Sequence, residues 1–199
     1  MKAKFPHVRQ HALGGARIHV WHDHEISLIP GVAGNKARKL ADLFARPNLP
    51  STLVSHGGAQ SNAMVAIAAL AAHRGVAFRY HTRPLPKWLR ASPTGNLRRA
   101  LGFGMQHVEH SSADAYERAW AAARGDDGFV PQGAASPIAE AGLEALAREI
   151  GEWRDAVLPS APLSVVVPAG TGTTAGYLAR HAPAGVRVMA VPCVESTRN

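Results

Sequence analysis

A single cysteine, Cys193, stands among 199 residues. One thiol excludes an intramolecular disulfide and fits a reducing compartment. Acidic residues are scarce beside basic ones, 14 against 22, which leaves a net charge of +8. That imbalance favours an anionic partner: nucleic acid, a membrane surface or a phosphorylated ligand. The cations are scattered, however, and form neither a basic-aromatic repeat nor a zinc-finger spacing. They read mostly as a solvated surface. Long apolar runs are also missing. The longest, AMVAIAALAA at 63–72, has ten residues, too few to cross a bilayer and suited to a buried helix. The basic start, MKAKFPHVRQ, has no apolar stretch behind it of the kind a secretory signal needs. The expectation is a cytoplasmic protein with no membrane and no nucleic-acid partner.

What is present is apolar content of 46%, enough for a globular chain of one generous domain or two small ones. Strand-like and helix-like segments alternate. ARIHVW (16–21) predicts a strand and NKARKLADLFAR (35–46) a helix stopped by Pro47. STLVSHGG predicts a short strand. QSNAMVAIAALAAHRG predicts a helix capped by Ser61 or Asn62, with Gly75 past its end. VAFRYHT predicts another strand, followed by the proline-broken loop RPLPKWLRASP. Helix TGNLRRALGFG, strand QHVEH, helix SADAYERAWAAARG and short strand GFVP come next. A long helix is predicted over 136–157, because Ile138, Leu143, Leu146 and Ile150 recur near the 3.6 period. LSVVVPAG has the continuous apolar character of a strand buried in a parallel sheet. Helix TTAGYLARH and strand VRVMAVPCV close the pattern. The alternation implies an α/β protein with parallel sheets, which bind ligands beyond the carboxyl ends of their strands.

Two loops occupy such positions. VVVPAGTGTTAG is a strand, a glycine-rich turn and a helix start. Outward-pointing N–H groups there carry partial positive charge, and Gly170 and Gly172 allow close approach. Thr171, Thr173 and Thr174 add hydroxyl donors, so the turn predicts a phosphate cup. It is not a P-loop, since no Lys follows the glycines. It does fit G-x-G-x-x-A from Gly170 to Ala175, with Glu195 after the next strand, so an NAD-dependent dehydrogenase is a rival reading. SHGGAQSN has the same strand-turn-helix logic. It is able to hold a carboxylate or a phenolate, or to be an ordinary helix cap. Ahead of both lies GNKARKL, with Lys36 behind a Gly-Asn pair. A lysine nucleophile, an anion-holding turn and a phosphate cup are the parts a pyridoxal phosphate (PLP) enzyme needs.

GNKARKL, SHGGAQSNAMVAIAALAAHRG, VPQGAASPIAEAG and VVVPAGTGTTAG, in that order, resemble the aminocyclopropane-carboxylate deaminase/D-cysteine desulfhydrase family of fold-type II PLP enzymes. The resemblance covers most of the chain. It implies PLP as cofactor and a small amino acid as substrate, cleaved to a 2-oxo acid and ammonia. It implies that Lys36 is the Schiff-base lysine and later the general base, with Arg38 and Lys39 in supporting positions. Asn62 would face the cofactor's 3-oxygen, and Ser61 with Gln60 the substrate carboxylate. Gly170, Thr171, Gly172, Thr173 and Thr174 would bind the phosphate. The implied architecture is two three-layer α/β domains with parallel sheets. The large domain comprises 1–49 and 132–199, and a small domain comprises 50–131.

The chain departs from the family at Ala63, where a polar residue is common, at the 132–135 turn (Gln-Gly-Ala-Ala), and at the HDH run before the lysine. These departures bear on the substrate more than on the cofactor. His22 and His24 would share a face of a strand as metal ligands do, but no second cluster completes a site, and no metal is assigned. Relatives continue for roughly another third of their length beyond ESTRN. The expectation is therefore an incomplete large domain, little turnover, and no certain family-like homodimer. The rival to both enzymes is a basic, non-catalytic module that binds anions or nucleic acid.

Overall fold

In the computed structural model, which describes residues 8–193, an antiparallel hairpin comes first. Its strands are β1 (Val8–Leu13) and β2 (Ala16–Trp21), paired from Val8 opposite Trp21 to Leu13 opposite Ala16. The basic composition of β1 hides it from the sequence reading. A 3-10 turn over Asp23–Glu25 replaces the expected continuation of the strand, so His22 and His24 meet edge to face, with ring centroids 5.3 Å apart. A second small hairpin, β3 (Ser27–Ile29) with β4 (Val32–Ala33), delivers the chain to α1 (Asn35–Ala45).

The next segment is built on a parallel sheet with the order β5 (Thr52–His56), β6 (Ala77–Thr82), β7 (Gln106–Glu109). Between β5 and β6 runs α2 (Asn62–Arg74), in which every residue from Ala63 to Ala71 is buried. A helix apolar on all sides needs cover on all sides. Here α1, β6 and α4 (Gly95–Gly102) supply it. Ser61 caps α2, its Oγ accepting from Met64 N at 3.3 Å, and Gly75 ends it in the left-handed conformation. A short α3 (Lys87–Ala91) forms inside the proline-broken loop, where none was expected. After α5 (Ala113–Ala123), the expected GFVP strand is reduced to one parallel bridge between Val54 and Phe129.

A separate apolar cluster joins α6 (Glu140–Val157), α7 (Thr173–His181) and β8 (Leu163–Ala169). The first turn of the expected long helix is a distinct 3-10 turn, Pro137–Ala139. β8 pairs in parallel with β9 (Val186–Pro192), Leu163 opposite Val186 through Ala169 opposite Pro192. β8 was expected to be buried on both faces. Its inner residues, with Val188 of β9, do pack on the helices, but Val166, Met189 and Val191 on the other face are exposed. Among the described residues no second helical layer covers that face. The final expected residue of this strand, Val194, lies outside the described residues.

α1 is tied to both halves. Arg38, with its side chain 6% exposed, points Nε at both oxygens of Asp23 (2.9 and 3.0 Å). Its Nη1 and Nη2 donate to the two oxygens of Glu149 on α6, at 3.1 and 2.8 Å. The helices meet closely there. A Cβ at Gly142 would lie 2.0 Å from the Arg38 carbonyl oxygen, so only glycine permits the crossing. Burying one cation between two carboxylates is tolerable because all are hydrogen-bonded, and breaking such a set strands a charge.

Burial orders the consequences. Asp23→Asn weakens the less exposed pair (Asp23 18% exposed, Glu149 35%) and is expected to cost about 1.5–3 kcal/mol. Glu149→Gln is expected to cost about 1 kcal/mol or less, being nearer the surface. Urea unfolding midpoints check the order. A larger loss for Glu149→Gln would contradict it.

Candidate active site

A cavity of about 340 Å³ lies where α1, the turn before α2, the 132–133 turn and the turn before α7 converge. Every residue expected at the site lines it: Lys36, the 60–62 turn, and 170–174. Asn35, Lys39 and Gln132–Gly133 join them. Among the described residues no carboxylate lines the cavity, and its two ammonium groups make that lining cationic.

Lys36 is half-buried at the start of α1, and its Nζ donates to Asn35 Oδ1 at 2.9 Å. Burial lowers its pKa from the ordinary lysine value. That raises the fraction present as neutral amine, the nucleophilic form. Lys39 follows one turn later and is more deeply buried. Its Nζ donates to the carbonyl of Gly133 at 3.0 Å. Burial, and then repulsion from Lys36, lower its pKa to about 8. The sequence reading gave Lys39 only a supporting position. Its spacing from Lys36, one turn of the same helix, is the signal that puts both cations in one cavity.

The glycine-rich turn opens α7. Gly172 occupies its N-cap position with φ 75°, and no side chain caps the helix. Free N–H groups and the positive end of the helix dipole therefore face the cavity. Thr171 Oγ1 and Thr173 Oγ1 are 2.7 Å apart at the rim. A Cβ built on Gly170 would meet no protein atom within 4 Å, which leaves room for a ligand against the backbone. Gly133 closes the other side. Its φ is 71°, and a Cβ there would collide with Thr171 at 2.8 Å. The chain of contacts thus runs Lys39, Gly133, Thr171, from helix to cup.

On the opposite wall Ser61 caps α2, as one of the two sequence readings required, and its hydroxyl also hydrogen-bonds Tyr80. Asn62 lines the cavity beside it. Gln60 reaches the same wall, but both ends of its amide are engaged. Oε1 accepts from Asn96 N at 2.9 Å, and Nε2 donates to Thr94 O at 3.3 Å. Its side chain holds the start of α4, with one of the two Nε2 protons committed there. Glu195, the acid in the dinucleotide reading, lies outside the described residues.

A second cavity of about 510 Å³ adjoins the first, sharing Gly58 and Gln132. It opens at the carboxyl ends of β5 and β6, between α5 and the 83–89 loop. His56 stacks on Trp120 (centroids 4.3 Å, planes 4° apart), and its Nδ1 lies 2.8 Å from Tyr116 Oη. Burial pushes the His56 pKa down to about 4 and the Tyr116 pKa up to about 12. Both are neutral at pH 7. Nothing in the sequence pattern joins His56 to residues sixty positions away.

The Lys39 shift has a sign that stability measures. Below about pH 8 both folded and unfolded chains carry the proton, and the folded chain bears the cost of a buried ammonium. Between about 8 and 10.5 the folded chain has lost that proton while the unfolded chain still holds it. Stability from this group therefore rises with pH in that window. Raised tyrosine pKa values act oppositely near and above pH 10, so the reading is best taken between about 8 and 9.5. Urea midpoints should climb there in the native protein and less in Lys39→Met. An identical slope in the variant would show that Lys39 is not the source.

No protein-family model matches the chain, and no curated protein does. Solved structures do match in fold. An aminocyclopropane-carboxylate (ACC) deaminase homologue aligns over 84% of this chain and 51% of its own, with 24% identity and a TM-score of 0.58. A threonine deaminase from T.th. aligns over 79% and 49%, at 19% identity and TM-score 0.59. A pyridoxal 5'-phosphate-dependent aspartate racemase aligns over 79% and 46%, at 17% identity and TM-score 0.54. The chain spans about half the length of these structures. It has the α/β fold, with parallel sheets, of the fold-type II PLP enzymes.

Proposed function

We propose that this chain binds pyridoxal 5'-phosphate and belongs to a lyase or deaminase acting on a small amino acid. One observation carries the reading. A half-buried lysine of lowered pKa and an uncapped helix N-terminus flanked by threonines share one cavity, lined among the described residues by no carboxylate. The donor set suits a dianionic phosphate, and the volume lies at the lower end for small-molecule sites. A dinucleotide reading uses the cup but leaves Lys36 without a role.

The roles follow from the walls. The amides opening α7 and the hydroxyls of Thr171, Thr173 and Thr174 would hold the phosphate, with Lys39 adding positive charge. Lys36 Nζ, in its neutral form, would hold the cofactor's aldehyde carbon with loss of water, and once freed by the substrate's amine would take or return a proton at the substrate's α-carbon. Ser61 and the amides opening α2 would hold the substrate carboxylate, and Asn62 would donate to the ring oxygen. When bound, the cofactor supplies the electron sink that makes a bond at the α-carbon breakable. D-cysteine or aminocyclopropane-carboxylate is the finer substrate reading, supported by the order of the four motifs. Residues 50–131 are read as the small domain that forms the Ser61–Asn62 wall.

Borohydride reduction of the PLP-loaded chain should leave a pyridoxyl mass on the peptide containing Lys36. A tag on Lys39 or Lys87 instead, in folded protein, would refute the assignment. Lys36→Ala should abolish the tag and the visible absorption while keeping cooperative unfolding. Thr173→Val preserves shape and removes one donor to a charged oxygen, worth about 1.5–3 kcal/mol. PLP affinity should fall about tenfold or more. Unchanged PLP affinity with reduced NAD affinity would favour the dehydrogenase reading.

A further inference from the structure

Asn96 stands in the first turn of α4 and is not among the residues lining the first cavity. Its side chain is held by two partners of fixed polarity. The Gln60 carbonyl can only accept, and it lies 2.9 Å from Asn96 Nδ2. The Arg99 guanidinium can only donate, and its Nη1 lies 3.4 Å from Asn96 Oδ1. These partners decide which end of the Asn96 amide is nitrogen. The same Nδ2 lies 2.8 Å from Asn62 Oδ1. Turned the other way, Asn62 would set its NH2 against another NH2 at that distance, two donors with no acceptor between them. With Oδ1 fixed on Asn96, the Asn62 Nδ2 is the end left for the cavity. The Gln60 amide locks the same turn from the other side, through Asn96 N and Thr94 O.

We infer that Asn96 is a positioning residue that orients the Asn62 amide so its NH2 group faces the cavity as a donor to an anionic oxygen. This rests on the reading of the cavity as a PLP site, where that oxygen is the ring 3-oxygen. Asn96 touches neither cofactor nor substrate in this account. It acts through the polarity of Asn62. The charged groups on the cavity side are Lys36 and Lys39, whose ammonium groups donate to Asn35 Oδ1 and to the Gly133 carbonyl.

The test uses the full chain loaded with PLP and reads two quantities, the PLP dissociation constant and the pH at which the visible band of bound PLP titrates. A donor at the 3-oxygen stabilises its ionised form, and an acceptor there opposes it. Asn96→Asp offers only acceptors, so Asn62 turns its NH2 outward and its Oδ1 into the cavity. The titration midpoint should rise by about one pH unit, and affinity should fall about tenfold, the scale of one hydrogen bond to a charged group. Asn96→Ala merely releases Asn62 and should move both less than half as far. In an Asn62→Ala background the Asn96→Asp effect on the band should fall by more than half, to what the added charge exerts directly. The smaller Asn96→Ala shift, which carries no added charge, should disappear with Asn62→Ala, and it carries the test alone if Asn96→Asp does not fold. Equal shifts in the Asp and Ala variants, no shift in either, or an Asn96→Ala shift that persists without Asn62 would each overturn the inference and leave the PLP reading intact. A native chain with no visible band at any PLP concentration would instead overturn the PLP reading, and this inference with it.

Discussion

The cavity depends on where α1 sits, and α1 is held by one guanidinium. All three nitrogens of Arg38 are directed at Asp23 and Glu149, one before the helix and one on α6. Each carboxylate is engaged through both of its oxygens, so the helix is fixed in rotation as well as position. Its neighbours on the same helix, Lys36 and Lys39, inherit that orientation. The steric limit at Gly142 sets the depth of the crossing. A side chain there would push α6 outward and lengthen the bonds to Glu149.

From this anchor the site assembles by short steps. Lys39 grips the Gly133 carbonyl, and Gly133 packs on Thr171. Thr171 begins the cup that opens α7. Each step joins segments far apart in sequence, and each places a polar group that the next one uses. The cationic character of the cavity is a product of the same arrangement. Two ammonium groups are buried one helical turn apart, with no carboxylate among the described residues lining the cavity, which disfavours their charged forms and favours an anion.

The parts legible in the sequence are those decided locally. The Ser61 cap, the Gly75 terminus, the strand boundaries near Ala16 and Trp21, and the glycine-rich start of α7 all follow from residues within a few positions. The expected part of the cavity's lining, Lys36, 60–62 and 170–174, was legible because each of those segments is a helix start or the turn before one. What escaped depends on distant partners. Nothing near Arg38 announces Glu149, 111 residues away. Nothing near Gln60 announces that Thr94 and Asn96, 34 and 36 residues on, engage the two ends of its amide. The prolines around 84–86 concealed α3, and the basic residues of β1 concealed a strand whose side chains face solvent. For β8, composition suggested burial on both faces, but composition cannot say which layers are there to do the covering.

The bare face of β8 and β9 has a colloidal consequence. Val166 and Met189 are register partners on it, and Val191 extends the apolar strip by one pleat. Two such strips on separate molecules attract when they touch, and the attraction acts only at contact. What keeps the molecules from touching is the long-range repulsion of a chain with net charge +8. That repulsion reaches about 30 Å at 0.01 M salt and about 3 Å at 1 M. Ionic strength therefore bears on whether this protein stays dispersed: dilute buffer keeps the strips apart, and concentrated salt lets them meet.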